Sequence, residues 1–217
     1  MRSKREKRQR YQESPYALWG NRIPMASTWR KSLGHPETVP LLLEIGCGKG
    51  EFSVFIAEKR PEWLIIGMDR KAERLQTAVL RAETHRLPNL YFWHGDAQTL
   101  HSAFAQGEVQ EIWLNYPDPY PKARHAKHRL IHPRFIWQYE WILSEGGLLH
   151  IRTDDEGLYY YAQEQLHAAS WSVEQAVPLL LDRAEESLGV KTEFYLKRGG
   201  VVRYLCAKRP VRRLLEC

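Results

Sequence analysis

The sequence predicts an α/β fold: a seven-stranded, mostly parallel sheet with one antiparallel edge strand and helices on both faces. Three observations lead there. Short apolar runs alternate with segments of helical period, the pattern of right-handed βαβ units. The first of these runs ends in a glycine cluster and opens directly into a helix. Acidic residues recur just past the ends of successive runs, where open α/β sheets bind ligands.

The elements follow in order. Residues 1–38 carry Pro, Ser, Arg and aromatics without a clear period, with local turns expected at Ser14-Pro15 and Ile23-Pro24. They read as a basic, flexible arm. Leu41 to Ile45 is a short apolar run, the mark of a buried parallel strand. Residues 51–59 have helical spacing through Phe52, Phe55 and Ile56, and Pro61 stands just beyond. Strands are expected at 63–68, 90–94, 111–115 and 147–153. Helices are expected at 71–86, 133–143, where Pro133 suits a first turn, and 156–169. Residues 171–178 and 201–208 have little helix-forming length between them, so they should pair antiparallel at one sheet edge. The arrangement is Rossmann-like: one domain over 39–209 and a basic tail over 210–217.

Composition narrows the function. The net charge is +6 and the isoelectric point about 9.2, a balance suited to a polyanionic partner. The first ten residues carry Arg2, Lys4, Arg5, Lys7, Arg8 and Arg10 against Glu6 alone, as a solubilising tail or an arm that meets nucleic acid would. No apolar run approaches the roughly 18–20 residues that span a bilayer, and no signal-peptide h-region opens the chain. Cys47, Cys206 and Cys217 show no CxxC spacing, which suits a reducing cytoplasm.

Two segments carry the chemistry. The first is Glu44-Ile45-Gly46-Cys47-Gly48-Lys49-Gly50. Its G-x-G-x-G spacing behind an acidic residue differs from the G-x-G-x-x-G of dinucleotide folds. Asp69 ends the second strand, 23 residues after Gly46, where a carboxylate can accept from ribose hydroxyls. Asp96 follows the third strand, at the same edge of the sheet. Either aspartate could instead cap the helix after it. Cys47 has no base and reads as a small filler.

The second segment is Asn115-Tyr116-Pro117-Asp118-Pro119-Tyr120-Pro121-Lys122, with Arg124, His125, Lys127, His128 and Arg129 behind it. Its prolines exclude a helix or a central strand and force a stiff loop. A stiff loop places Asp118 and Lys122 with little ordering cost. The basic run suits phosphates. His125, His128 and His132 have spacings a metal could use, but the neighbouring cations favour phosphate, and no metal is expected.

Together with Thr153-Asp154, Thr192-Glu193-Phe194 and Lys197-Arg198-Gly199, these segments resemble the bacterial tRNA (guanine-N7-)-methyltransferases, in order from about Leu41 to Lys208. The resemblance implies a class I methyltransferase fold, S-adenosylmethionine as cofactor and tRNA as partner. It implies methylation of N7 of the variable-loop guanosine at position 46. Carried over by position, Glu44, Asp69, Asp96 and Asp118 match cofactor contacts, with Gly46, Gly48 and Gly50 as the glycine turn. Asp118 also matches the catalytic residue. Lys122, Asp154, Thr192, Glu193, Phe194 and Tyr195 match substrate contacts, and Arg124 to Arg129 an RNA-binding segment. Four positions depart from the family. Tyr120 replaces the family's Trp, Ala126 and His128 replace Asn and Arg, and Tyr195 replaces a Glu that Glu193 could substitute. The sequence leaves monomer and homodimer open.

Rival readings differ at the same residues. Exocyclic-amine methyltransferases carry an Asn/Asp-Pro-Pro-aromatic motif, and here Asp118 displaces the second proline. A non-catalytic RNA-binding module would need a broken cofactor site, yet every glycine and carboxylate is present. A nicotinamide-binding oxidoreductase would need the other glycine spacing.

Overall fold

A computed structural model describes residues 3–179 and 201–211. In chain order the elements are α1 (Lys4–Glu13), β1 (Ala17–Leu18), α2 (Trp29–Ser32), β2 (Leu41–Ile45), α3 (Glu51–Lys59), β3 (Leu64–Asp69), α4 (Ala72–His85) and β4 (Leu90–His94). Then follow α5 (Leu100–Ala103), β5 (Val109–Asn115), α6 (Pro133–Ile142), β6 (Leu143–Thr153), α7 (Glu156–Ala168), β7 (Ser172–Leu179) and β8 (Val202–Lys208). One sheet holds the strands in the order β1-β4-β3-β2-β5-β6-β8-β7. The strands from β1 to β6 pair parallel. β8 runs antiparallel between β6 and β7, so the antiparallel pair closes one edge and the reversed strand sits one place inside it. The strand beyond the expected seven is two-residue β1, which extends the opposite edge.

Alternation along β2 explains the two layers, because successive side chains of a strand point to opposite faces. Leu41, Leu43 and Ile45 face a core with Trp29, Phe104, Tyr139 and Leu166. Leu42 faces the other core, with Phe52, Leu75, Val79 and Phe92. Helices α2, α5, α6 and α7 therefore cover one face, and α1, α3 and α4 the other.

Residues 3–38 are held by specific contacts rather than by period. α1 opens with a capping box: Glu6 N–H donates to Ser3 Oγ at 3.2 Å and Ser3 N–H to Glu6 Oε2 at 2.6 Å. The fully buried Tyr11 binds its hydroxyl to Leu18 O and Phe92 O at 2.9 and 3.0 Å and accepts from His94 N–H at 3.0 Å. Burial pushes its pKa well above the usual phenol value. The fully buried Trp29 stacks on Phe104 with ring centroids 4.4 Å apart. Arg30 donates to Glu108 O at 2.9 Å and to Gln110 Oε1 at 2.8 Å.

A polar cluster lies under α3. Glu111 takes both contacts of Arg60, at 2.8 and 2.9 Å, and the Trp113 indole N–H at 3.0 Å. His150 stacks on Trp113 at 4.1 Å and shares a 2.8 Å bond with the Tyr204 hydroxyl. Its Nε2 is 3.6 Å from Glu111 Oε2, but this is no ion pair. Burial, with Arg60 and Arg152 nearby, pushes the imidazole down to about 3, so the ring is neutral.

Two outcomes follow. Tyr11→Phe leaves buried backbone groups without a partner and should cost about 1–3 kcal/mol in urea unfolding; an unchanged midpoint would show that the hydroxyl anchors nothing. The unfolded chain binds a proton on His150 near pH 6.5, which the folded chain refuses down to about 3. Stability from this site is therefore full above neutral pH and lost as the pH falls through that window. Between pH 7 and 4.5, His150→Gln should lose roughly 2–3 kcal/mol less than the parent. An equal loss in both proteins would mean that the ring is not held neutral.

Candidate active site

β2 to β6 run the same way, so their C-terminal ends share one edge. The chain builds β3 and β4 to one side of β2, then crosses over to place β5 and β6 on the other. Loops diverge at that switch point and leave a crevice. A cavity of about 250 Å³ fills it, lined by Gly46, Asp69, Asp96, Asn115, Tyr116, Asp118 and Tyr120 among others.

The glycine turn forms one wall. Gly46 and Cys47 N–H both donate to Met68 O, at 2.7 and 2.9 Å, fastening the turn to the neighbouring strand. Gly50 has φ +76°, and a Cβ there would lie 2.8 Å from both Ala78 Cβ and Phe92 Cζ. Only glycine meets both demands, and it lets α3 start tight against α4 and the sheet. Gly48 and Gly50 shape the turn without lining the cavity; Gly46 lines it.

The aspartates bind backbone N–H groups and line the cavity at once. Asp69, almost fully buried, accepts from Gly48 N–H at 3.0 Å and from Lys71 N–H at 2.8 Å. Asp96 accepts from Gln98 N–H at 2.9 Å at the start of a short 3₁₀ helix. Each has an arginine 3.7 Å away: Arg74 for Asp69 and Arg70 for Asp96. Those arginines are half exposed or more, so the pairs hold little energy.

Glu44 stands apart. It is fully buried beneath the floor and does not line the cavity. Its carboxylate accepts from Ser53 Oγ and, at 2.9 Å, from Asn115 Nδ2. Asn115 Oδ1 in turn accepts from Arg152 Nε at 2.7 Å. Burial lowers the Arg152 pKa to about 10, so it stays protonated at neutral pH. Its guanidinium lies over Phe52 and Trp113, at 4.6 and 5.2 Å.

The proline loop leaves β5 as the opposite wall. Tyr116 N–H donates to Arg152 O at 2.8 Å. Tyr116 and Tyr120 have φ of +50° and +43°, left-handed values that cost a non-glycine residue roughly 1–2 kcal/mol each. Asp118 is exposed at the cavity rim. Lys122 precedes a 3₁₀ helix spanning Ala123–His128. On it Arg124 and Lys127 are exposed, while His125 is half-buried. His128 lines the cavity and lies 5.6 Å from the Tyr120 ring. Arg129 turns back onto the loop's own carbonyls. Asp154 is exposed just past β6, the strand that pairs with β5, from which the Asp118 loop departs. Thr192, Glu193, Phe194 and Tyr195 lie outside the described residues.

Sequence reading did not single out Arg152, Arg70, Arg74 or Arg134, the last three of which line the cavity. Arg70 and Arg74 had a local signal, since they lie one and five residues after Asp69. Arg134 had none, because only the packing of α6 brings it to the crevice.

Known proteins share this architecture and sequence. A family model described as "Putative methyltransferase" matches residues 38–199. A curated tRNA (guanine-N(7)-)-methyltransferase of Halalkalibacterium halodurans is 37% identical over 176 residues, 79% of this chain and 78% of the relative. One of Brevibacillus brevis is 41% identical over 140 residues, and the match spans 64% of each protein's length. Among solved structures, the 16S rRNA methyltransferase KamB superposes with a TM-score of 0.65 at 14% identity, over 87% of this chain and 95% of that one. A 16S rRNA (adenine(1408)-N(1))-methyltransferase from Catenulisporales acidiphilia, solved with its cosubstrate SAM, gives 0.58 at 14% identity, over 98% and 93%. At such identities these two superpositions speak for the fold alone.

Proposed function

The chain belongs to the tRNA (guanine-N(7)-)-methyltransferase family, and we propose that it methylates N7 of a guanosine in tRNA, that of variable-loop position 46, from S-adenosylmethionine. One observation carries the reading: Asp69, Asp96 and Asp118 line a single cavity with Gly46 of the glycine turn at the sheet's switch point. The cavity residues fit the cofactor. A Cβ on Gly46 would meet nothing within 4 Å, so the turn presents open backbone to a ligand. Asp69 would accept from ribose hydroxyls and Asp96 from an adenine amine, each giving up a weak arginine contact. When bound, the cofactor supplies an electrophilic methyl group on a sulfonium.

The protein's own work is to position and to balance charge. Guanine N7 bears an in-plane lone pair, so no base need deprotonate it, and alignment supplies much of the rate. The methylated base is cationic. In our reading the Asp118 carboxylate faces that growing charge. Tyr116 and Tyr120 give the pocket an aromatic wall against which a base can stack. Asp154 would accept from the guanine Watson–Crick edge. Lys122, Arg124, His125 and Lys127, with the cationic face of α1, would hold the RNA backbone. Glu44 supports the site from beneath, through Asn115. We place this chemistry in the cytoplasm, where tRNA is processed; no helix among the described residues is long and apolar enough to cross a membrane.

Methyl transfer to an unmodified tRNA transcript, followed by borohydride–aniline cleavage, tests the reading. A single cut at the variable-loop guanosine is expected. Label without that cut would favour the amine-methylating rival. Asp118→Ala should lower kcat by about 10²–10³ at saturating tRNA, and unchanged turnover would remove Asp118 from the chemistry.

A further inference from the structure

Arg129 stands in the basic run, where a phosphate contact is the obvious role, yet its geometry is different. Its Nε donates to Pro119 O at 3.1 Å and to Tyr120 O at 3.3 Å, and its Nη2 to Tyr120 O at 3.0 Å. That edge, Nε with one Nη, is one of the two with which a guanidinium can clasp a phosphate through two parallel bonds. Here it is closed on the backbone of the proline loop. The same guanidinium lies over the Tyr161 ring of α7 at 4.3 Å, so it joins the loop to a helix on the sheet.

We propose that Arg129 is a positioning residue, a clamp that fixes the Asp118 loop in its working conformation, and not an RNA contact. The loop needs such a clamp. Prolines at 117, 119 and 121 set their own φ, but Tyr116 and Tyr120 hold left-handed values that nothing in their chemistry favours. The Tyr116 end is fastened through its N–H to Arg152 O. The Tyr120 end is fastened by Arg129. Asp118 lies between the two anchors, and a Tyr120 free to relax to ordinary φ would swing it. Binding a phosphate through that edge would require the fork to release both carbonyls and the loop with them.

The proposal rests on Asp118 acting at the reacting base. Its test is Arg129→Lys, which keeps the charge and loses the planar fork. The expected result is a kcat about 10–100-fold lower at saturating tRNA and cofactor. The tRNA dissociation constant and the slope of its logarithm against log salt should match the parent. Lys127→Ala is the reference for a lost phosphate contact and should flatten that slope by roughly 0.7–0.9. Parental kcat in Arg129→Lys would overturn the clamp, as would Arg129→Ala flattening the slope as much as Lys127→Ala does. Should Arg129→Lys fail to fold, Tyr161→Leu decides, since it removes only the ring beneath the guanidinium. A lowered kcat with an unchanged slope supports the clamp, and parental kcat contradicts it. Asp118→Asn separates the two ideas. If it keeps parental kcat, the reading of Asp118 fails. If it is impaired while Arg129→Lys is not, only the clamp fails.

Discussion

A chain of buried polar groups at the middle of the sheet holds the active edge together. Ser53, Glu44, Asn115 and Arg152 link α3, β2, β5 and β6 in turn. A carboxylate and a guanidinium out of water are costly unless each is fully bonded, and a partly satisfied network is worse than an apolar one. The strands can therefore meet only in the register that completes the chain: Glu44 opposite Trp113, and Asn115 opposite Arg152. From that line of residues the glycine turn, the proline loop and the turn bearing Asp154 all depart. Their relative positions are set before any ligand arrives.

What faces the crevice is correspondingly cheap to rearrange. Asp69 and Asp96 are oriented by backbone N–H groups, which are rigid, while their arginine partners are exposed and long-reaching. A ligand that replaces the arginines finds its acceptors already aimed, which limits the ordering cost of binding. The proline loop follows the same logic with different means. Its stiffness comes from three prolines, and its two left-handed tyrosines are fastened by hydrogen bonds at either end. The catalytic carboxylate of our reading is thus exposed without being loose.

Much of this was legible in the sequence, for identifiable reasons. β2, β4 and α3 coincide with their expected bounds, because their apolar runs are short and punctuated by glycine and proline. The ends of β5 and β6 were harder: β6 begins at Leu143, straight after α6, through residues that carry no strand period. α1 was not foreseen, because a segment dominated by charge shows no apolar stripe, and its order comes from one hydroxyl shared among three backbone groups. In the site, the aspartates announced themselves by position after strands. Glu44 did too, but its depth did not, since only the partners on α3 and β5 decide that both its oxygens are used within the protein. Arg129 reads as one more cation in a basic run until the loop folds back on it. The stretch around Thr192 to Tyr195 lies outside the described residues.

In our reading the switch-point cavity holds the cofactor between the ends of β2, β3 and β4 and the proline loop. A crystal structure with S-adenosylhomocysteine tests it most directly. The ribose should lie against Asp69, the adenine edge at Asp96 and the sulfur toward Asp118. A ligand bound elsewhere, or with its sulfur turned away from that loop, would contradict it.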